Sequence, residues 1–314
     1  MTCKNAKEGI GFMERARVLK DKEPQIEIMR GRQDYLSTKR VIKAREIVND
    51  FFLNPSKRGE NSPIFQAIEY AMKYWGKGFE GELYSGRVLY RARVVSDEDC
   101  TYQNGISVDE NGHTKGFNED NSLEAPPGKA SAGRNNPEGV SYLYLSGDLE
   151  TACSEIKEPL GSVISIAEIR IKRNLKLFDF SKTTASSVPE DGEIDWAAIF
   201  HEIVRLYYRP IKEEKDYEAT QEISKYIKNK GYDGIAYVSY FTASMNYTIF
   251  STDHKNYELK SSRLIVVQGS EQHYYDINNK QYLTSNINGI EFDKKMNNYI
   301  IEDIREQLKK NSLN

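Results

Sequence analysis

The spacing of hydrophobic positions changes near residue 80 and divides the chain in two. Before this point, apolar residues recur every three or four positions among charged ones, which predicts a helix over residues 24–54 that Pro55 ends. Ser62-Pro63 begins a second predicted helix, because proline is favoured in the first helical turn. We therefore predict a helical N-terminal region over residues 1–80.

After residue 86 the hydrophobic period shortens to two and β-branched residues become common, which predicts strands. Helical spacing returns between some of these strands and near the C-terminus. The predicted strands are 88–94, 142–145, 163–169, 175–179, 235–239, 247–250 and 264–267. The predicted helices are 195–208, 220–228 and 293–310.

One polar stretch, residues 96–130, is rich in Gly, Asn, Asp and Glu. We predict a long loop here. Because loops of this length are often functional, the segment is either a flap over a site or an insertion without a role.

Composition excludes several classes of protein. Hydrophobic residues make up 39% of the 314, enough for a core, and the net charge of −3 disfavours a nucleic-acid-binding protein. The N-terminus lacks the apolar segment of a secretory signal, and no run of about 18 apolar residues predicts a membrane span. Cys3, Cys100 and Cys153 are scattered, so we expect no disulfide framework and a cytoplasmic location.

Common catalytic motifs are missing from the sequence. His201-Glu202 begins a zinc-protease pattern, but its second histidine is absent. The four histidines and three cysteines show no metal-ligand spacing, so we expect no metal. Neither a phosphate-binding glycine loop nor a Gly-x-Ser-x-Gly nucleophile turn occurs.

An arginine and a carboxylate flank one predicted strand. Arg134 follows Gly133 in a turn, strand 142–145 comes next, and Glu155 lies beyond it in a segment of helical character. An arginine fork binds phosphates, and a carboxylate stabilises a cationic sugar carbon, so the pair suits a phosphate-bearing ligand that develops positive charge. On the turn alone, a surface or structural arginine is the more frequent explanation, and Glu155 also fits a solvent-facing helix.

Residues 131–155 resemble the core of the RES family, which is named for its Arg, Glu and Ser. Further pieces follow the family's order, so that the resemblance covers roughly residues 85–252. These pieces are Leu89-Tyr90-Arg91-Ala92-Arg93, Pro126-Pro127-Gly128, Tyr217-Glu218-Ala219-Thr220-Gln221 and Gly231 to Ser239. The turn Ala132-Gly133-Arg134-Asn135-Asn136 departs from the family's usual Gly-Gly-Arg-Trp-Asn, because it lacks the tryptophan.

The resemblance implies a fold and an activity. The implied fold is mixed α/β, of the α+β class, with an ADP-ribosyltransferase-like core of two small packed sheets and a cleft between them. Its NAD-binding catalytic domain would span residues 81–270, with a C-terminal extension over residues 271–314 that ends in a helix. The implied activity is cleavage of the nicotinamide–ribose bond of NAD+ by water or phosphate, in a bacterial toxin or effector. NAD+ is then a substrate, and no cofactor is expected.

Two other functions stay open on the sequence. An ADP-ribosyltransferase differs only in using a macromolecular acceptor, whereas an inactive interaction module would keep the fold without the chemistry. The expected partners are NAD+ and a cognate antitoxin or immunity protein. A homo-oligomer is also compatible, but direct binding to nucleic acid or membrane is not expected.

Six side chains are candidates for the site. The resemblance assigns Arg134, Glu155, Tyr144 and Ser239 to catalysis, and Arg91, Arg93, Arg134 and Ser239 to NAD+ binding. Arg91 and Arg93 alternate on one face of a strand, so either they face a ligand or both are exposed at an edge. Tyr144 fits core packing equally well, and Ser239 fits a cap of the next element.

Overall fold

A computed structural model gives the arrangement of most of the chain from residue 39 onwards. The described residues are 39–54, 57–74, 80–96, 99, 105–110, 114–126, 128–159, 161–182, 194–208, 214–242, 244–267, 273–276 and 281–284. Residues 24–38 of the first predicted helix and the predicted helix 293–310 lie outside this set. No helix within the described ranges is both long and apolar enough to cross a bilayer.

The described chain contains both α-helices and β-strands. The helices are α1 (Lys39–Leu53), α2 (Pro63–Tyr74), α3 (Glu119–Ser122), α4 (Leu149–Ile156), α5 (Trp196–Tyr208) and α6 (Glu218–Asn229). The strands are β1 (Glu80–Leu83), β2 (Val88–Val94), β3 (Ile106–Val108), β4 (Thr114–Phe117), β5 (Leu143–Ser146), β6 (Val163–Ile171), β7 (Leu175–Asp179), β8 (Gly234–Val238), β9 (Met245–Ile249), β10 (Tyr257–Val266), β11 (His273–Asp276) and β12 (Gln281–Thr284). The α+β class predicted from the sequence is confirmed.

The chain forms two compact units, and the first is helical. It comprises residues 1–71 and 185–203, and so contains α1, most of α2 and the first part of α5. The buried side chains of α2 recur at helical spacing, and Phe65 meets Phe51 of α1 edge to face, with ring centroids 5.8 Å apart. The predicted domain division after residue 80 stays a prediction, because residues 75–79 lie outside the described set.

The second unit is built on an eight-stranded sheet with the order β1-β7-β8-β9-β5-β2-β6-β10. Every pairing in this sheet is antiparallel except that of β7 with β8. Buried aliphatic residues along β6, such as Ile164, Ile166 and Ile169, explain why this strand is central to its part of the sheet. The face of α6 that bears Ala219, Ile223 and Ile227 is also buried.

The sheet has a seam between β5 and β2. Only Tyr90 and Ser146 pair across it, whereas all of β2 from Val88 to Val94 pairs with β6. The seam separates a five-stranded part, β1-β7-β8-β9-β5, from a three-stranded part, β2-β6-β10. The resemblance predicted two small packed sheets, whereas the structure has a single sheet whose two parts one residue pair joins.

The polar stretch 96–130 was predicted to be a long loop, and this prediction is wrong. It contains the β3–β4 hairpin and α3, and Phe117 of β4 is only 2% exposed. The Phe117 N–H donates to Ser165 Oγ of β6 at 2.8 Å, and Phe117 packs in a cluster with Val95. Each of these elements has four residues or fewer, so its stability comes from contacts with distant strands that local spacing does not reveal.

Candidate active site

The turn that carries Arg134 is tight and close-packed. The Gly133 N–H donates to the Asn136 carbonyl at 2.9 Å. A Cβ atom on Gly133 would lie 2.7 Å from Asn136 Oδ1 and 2.9 Å from the Tyr144 hydroxyl, which is closer than real Cβ contacts come. Glycine at this position is therefore required by the close approach of two neighbouring side chains.

Helix α6 and strand β9 hold this turn in place. Gln221 Nε2 donates to the carbonyls of Gly133 and Asn136, both at 2.9 Å. Asn135 Nδ2 donates to Thr248 Oγ1 of β9 at 2.7 Å, and Asn135 is 1% exposed. Where the family usually has a tryptophan, this chain thus has a buried amide that fixes the turn by hydrogen bonds instead of ring packing.

Arg134 points from the turn into a cleft. Its Nη1 donates to the Leu206 carbonyl of α5 at 2.8 Å, and its guanidinium carbon lies 5.9 Å from the centroid of the Tyr237 ring. The Arg134 carbonyl accepts a 2.6 Å hydrogen bond from Thr220 Oγ1. Side chain and backbone are both fixed, so the guanidinium is preorganised where it lines the cleft.

The hydroxyl of Tyr144 ties β5 to the same turn. It accepts from the Asn135 N–H at 2.9 Å and donates to Asn136 Oδ1 at 2.6 Å. Burial, with a smaller contribution from Tyr237, raises the pKa of Tyr144 well above its ordinary value, so the phenol is neutral. Its direct contact with a ligand stays a prediction, whereas its contact with the Arg134 turn is plain from the structure.

Glu155 lies near the end of α4 and reaches the cleft. Helix α4 begins at Asp148, whose side chain accepts from the Thr151 N–H, and ends at Lys157 in the left-handed region with φ of 50°. Glu155 Oε1 accepts hydrogen bonds from Ser239 Oγ at 2.7 Å and from Asn246 Nδ2 at 2.6 Å. Two donors from separate elements therefore fix one oxygen of the carboxylate.

Ser239 follows β8 and serves two purposes. Its N–H donates to the Ser244 carbonyl at 2.7 Å, and its Oγ accepts from the Phe241 N–H at 3.2 Å. The same hydroxyl donates to Glu155. The local hydrogen bonds fit the cap interpretation of Ser239, and Ser239 also lines the cleft, but its role in a site stays a prediction.

The structure separates the two arginines of β2. Arg91 lines the cleft, and its buried Nη1 has no hydrogen-bond partner among the described residues. Burial, and then the charge of Arg93, lowers the Arg91 pKa to about 10, while Glu124, Tyr144 and Tyr257 oppose the shift.

Arg93 is held away from the lining of the cleft. Its Nη1 donates to the Asn121 carbonyl beside α3, and its guanidinium carbon lies 5.2 Å from the centroid of the Phe117 ring. Arg91 is therefore the arginine of β2 with a donor available to a ligand, since one donor of Arg93 is taken by the backbone.

The cleft has two lobes, which meet at Tyr144, Glu155, Tyr237 and Asn246. The smaller lobe, about 170 Å³, lies along the seam of the sheet and is lined by Arg91. The larger lobe, about 310 Å³, is lined by Arg134 and by the aromatic side chains of Tyr207, Tyr217, Tyr237, Tyr240 and Phe241. A carboxylate thus lies between two cationic groups, an arrangement that suits an extended ligand with a central reacting carbon and anionic groups.

Sequence reasoning missed Asn246 and the aromatic lining. Asn246 stands opposite Tyr237 in the β8–β9 pairing, but the predicted strand began only at residue 247. Its sequence context, Asn246-Tyr247-Thr248, draws attention only as a glycosylation pattern. Within the described residues, no group of three or more His, Cys, Asp or Glu side chains is placed to hold a metal ion.

Comparison with known proteins identifies the family. The RES domain model matches residues 111–269, about half of the chain, so the chain belongs to the RES domain family. Arg91 lies before the matched segment, whereas the other five residues that bear on the cleft chemistry, Arg134, Tyr144, Glu155, Ser239 and Asn246, lie within it.

One solved structure that resembles the chain is the M. tuberculosis MbcT–MbcA toxin–antitoxin complex. The sequences are 12% identical, the match covers 67% of this chain and 94% of that chain, and the TM-score is 0.36. No curated protein matches the chain.

Proposed function

We propose that the protein degrades NAD+ by breaking the bond between nicotinamide and ribose. The observation that carries this proposal is the Glu155 carboxylate, which two donors fix in a cleft between Arg91 and Arg134. The nicotinamide group of NAD+ carries a positive charge and leaves as a neutral molecule, so the reaction needs no strong general acid. What it needs is a negative charge beside the ribose carbon that becomes cationic.

The cleft residues divide the work of binding and chemistry. Glu155 stabilises the oxocarbenium-like transition state and contacts the ribose hydroxyls. Arg91 and Arg134 bind the pyrophosphate, because guanidinium groups match phosphate oxygens in geometry and charge. Ser239 holds Glu155 and orients the attacking group, and Tyr144 keeps the Arg134 turn in register.

The acceptor distinguishes the candidate activities. Attack by water yields ADP-ribose, and attack by phosphate yields the phosphate of ADP-ribose. Attack by a protein side chain would make the enzyme an ADP-ribosyltransferase. We further propose that the protein acts as a bacterial toxin, because loss of NAD+ would arrest growth, and that a cognate antitoxin or immunity protein restrains it.

One assay tests the proposal directly. Purified protein is incubated with NAD+ and with or without phosphate, and the products are separated by chromatography. We expect free nicotinamide in equal amount to NAD+ consumed, and a loss of about 10²–10³ in rate for Glu155→Gln, since that change removes one electrostatic stabiliser.

Glu158→Gln is the matched control. Glu158 lies three residues after Glu155 and accepts from Ser162 Oγ at 3.2 Å, away from Ser239 and Asn246. It should retain wild-type turnover. Unchanged NAD+ with folded wild-type protein, or full turnover by Glu155→Gln, would contradict the proposal.

A further inference from the structure

Asn246 lies at the centre of a chain of hydrogen bonds under the cleft. It is on β9 and is 5% exposed. Its Oδ1 accepts from Ser146 Oγ of β5 at 2.8 Å, and its Nδ2 donates to Glu155 Oε1 at 2.6 Å. Because Ser146 pairs with Tyr90 at the seam, this chain links the seam of the sheet to the carboxylate.

The orientation of the Asn246 amide follows from its partners. An ionised carboxylate can only accept hydrogen bonds, so the group that faces Glu155 must be the NH₂ end of the amide. The carbonyl end then faces Ser146, whose hydroxyl is able to donate. Both ends of Asn246 are satisfied, and the amide therefore has one preferred orientation.

The two oxygens of Glu155 have different environments. Ser239 and Asn246 both bind Oε1, whereas Oε2 makes no hydrogen bond to any described residue. Glu155 is exposed and lies at the junction of the two lobes. Because Oε1 is already bonded, Oε2 is the oxygen available to a ligand.

We propose that Asn246 is a positioning residue that holds Glu155 Oε1 and so directs Oε2 at the ribose of the substrate. The inference rests on the proposed function for its substrate, but the coupling between Asn246 and Glu155 stands on the structure alone. A serine hydroxyl by itself allows the carboxylate to rotate about the contact. The second donor, from a different strand, removes that freedom.

Other charged and titratable groups line the cleft around this carboxylate. The cations are Arg91 on β2, Arg134 on its turn and Lys157 at the end of α4. The phenols are Tyr144, Tyr207, Tyr217, Tyr237 and Tyr240. All of these groups remain when only Asn246 is changed, so a new ionisation in an Asn246 variant reports on the pair itself.

The kinetic test replaces the amide in two ways. Asn246→Asp keeps the size and the Ser146 contact but places a second carboxylate against Glu155, so the pair holds a proton to higher pH than a single carboxyl group does. We expect its kcat for NAD+ to gain a pH dependence that the wild type lacks. Asn246→Ala should lower kcat by about 10-fold to 100-fold, the loss of one hydrogen bond to a charged group, without that new ionisation.

Asn174→Asp is the matched control. Asn174 Nδ2 donates to Glu82 Oε1 at 2.8 Å in an exposed pair far from the cleft lining. This variant should keep the wild-type kcat and pH profile. If Asn246→Asp shows the wild-type kcat and pH profile, Asn246 does not position Glu155.

A stability measurement tests the same coupling without any substrate. In Asn246→Asp the folded pair has a raised pKa, so the folded state binds more protons than the unfolded state and the Tm falls as pH rises. We expect a larger fall between pH 5 and pH 8 than in the wild type, and we expect the excess to vanish when Glu155→Gln is added. Persistence of the excess in the double variant would overturn the coupling, whereas an inactive wild type with the coupling intact would overturn only the proposed function.

Discussion

At the scale of single residues, most hydrogen-bonding groups of the cleft have protein partners, and a few have none among the described residues. The buried Arg91 Nη1 group has no partner in the part of the chain that the structure describes, and an unpaired buried donor is costly enough to need an explanation. Glu155 Oε2 is the corresponding open acceptor. Because one open group is a donor and the other an acceptor, a ligand that satisfies both must offer an acceptor at one point and a donor at another.

The open donor of Arg91 leads to a binding prediction. Arg91→Lys keeps a positive charge but loses the planar fork, so we expect the KM for NAD+ to rise by about 10-fold to 100-fold, as for a lost charged hydrogen bond, with a smaller change in kcat. Steady-state kinetics with varied NAD+ measure both constants.

Arg93→Lys is the comparison variant, since its Nη1 contacts the Asn121 carbonyl and its guanidinium lies over Phe117. Its KM should stay within about threefold of wild type, in line with a residue outside the site. A wild-type KM for Arg91→Lys, or an equal rise for both variants, would show that Arg91 does not bind the phosphates.

Among the elements, the residues that follow β8, Ser239, Tyr240 and Phe241, form one wall of the larger lobe. Tyr240 and Phe241 are 50% and 41% exposed, and their rings meet edge to face with centroids 5.4 Å apart. Lys157 Nζ lies 4.6 Å from the centroid of the Phe241 ring, so a ring face at this wall already attracts a cation. Exposed aromatic rings that line a cleft suit stacking with a planar base.

Removing this aromatic wall should weaken substrate binding. For Tyr240→Ser with Phe241→Ser we expect KM for NAD+ to rise roughly tenfold, because stacking of one base on an aromatic ring is worth about 1–3 kcal/mol. The Tm should change little, since about half of each side chain is already exposed to solvent. Kinetics and thermal melting measure the two effects.

Tyr84→Ser provides the control, because Tyr84 is 62% exposed and lies outside the lining of the cleft. It should leave KM unchanged. If the double variant binds NAD+ as tightly as the Tyr84 variant, the wall does not contact the substrate.

The strands and helices with strong spacing were predictable, and the short polar ones were not. The predicted strands 88–94 and 175–179 match β2 and β7 residue for residue, and helix 195–208 begins one residue before α5 does. The β3–β4 hairpin and β1 were missed, because four residues or fewer carry too little periodic signal. Contacts with other strands bury them. Phe117 of β4, for example, donates its N–H to Ser165 Oγ of β6.

The site was predictable as a set of residue types and not as a geometry. Resemblance supplied Arg134, Glu155 and Ser239. Only Arg91 lines the cleft, and this difference from Arg93 depends on the direction of each side chain. Strand alternation alone placed both arginines on the same face and could not separate them. Asn246 escaped notice because its role comes from two partners that are 91 and 100 residues away in sequence.

On the scale of the whole molecule, the helical unit is not confined to the N-terminus. Residues 185–203 belong to the same compact unit as residues 1–71, and Glu202, which is 7% exposed, pairs with Arg45 at 3.5 Å. Phe200 and Ile203 in this segment are fully buried. The first part of α5 is therefore an integral piece of a unit whose other helices come from the beginning of the chain.

This organisation predicts the effect of shortening the chain to residues 81–314. The cut would remove α1 and α2 and leave Phe200, Ile203 and Glu202 without the rest of their unit, so we expect aggregation or a Tm lower by many degrees. Light scattering and thermal melting provide the measurement.

Arg45→Ala in the full chain is a milder version of the same change, because it removes one ion pair of Glu202 and leaves the helices in place, so it should lower the Tm by a few degrees without aggregation. A monomeric shortened chain with the Tm of the full protein would show that the second unit is independent of the first.

The seam between β5 and β2 gives the cleft a mechanical property. Elsewhere the sheet is joined by ladders of several residue pairs, but here a single pair, Tyr90 with Ser146, connects the two parts. A change in the distance between β5 and β2 disturbs few backbone hydrogen bonds. We therefore expect the sheet to flex most easily at the seam, where the ligand would bind. A ligand in the cleft would bridge the seam and restrain this movement. Backbone amides on both sides of the seam should therefore exchange their hydrogens more slowly when the cleft is occupied.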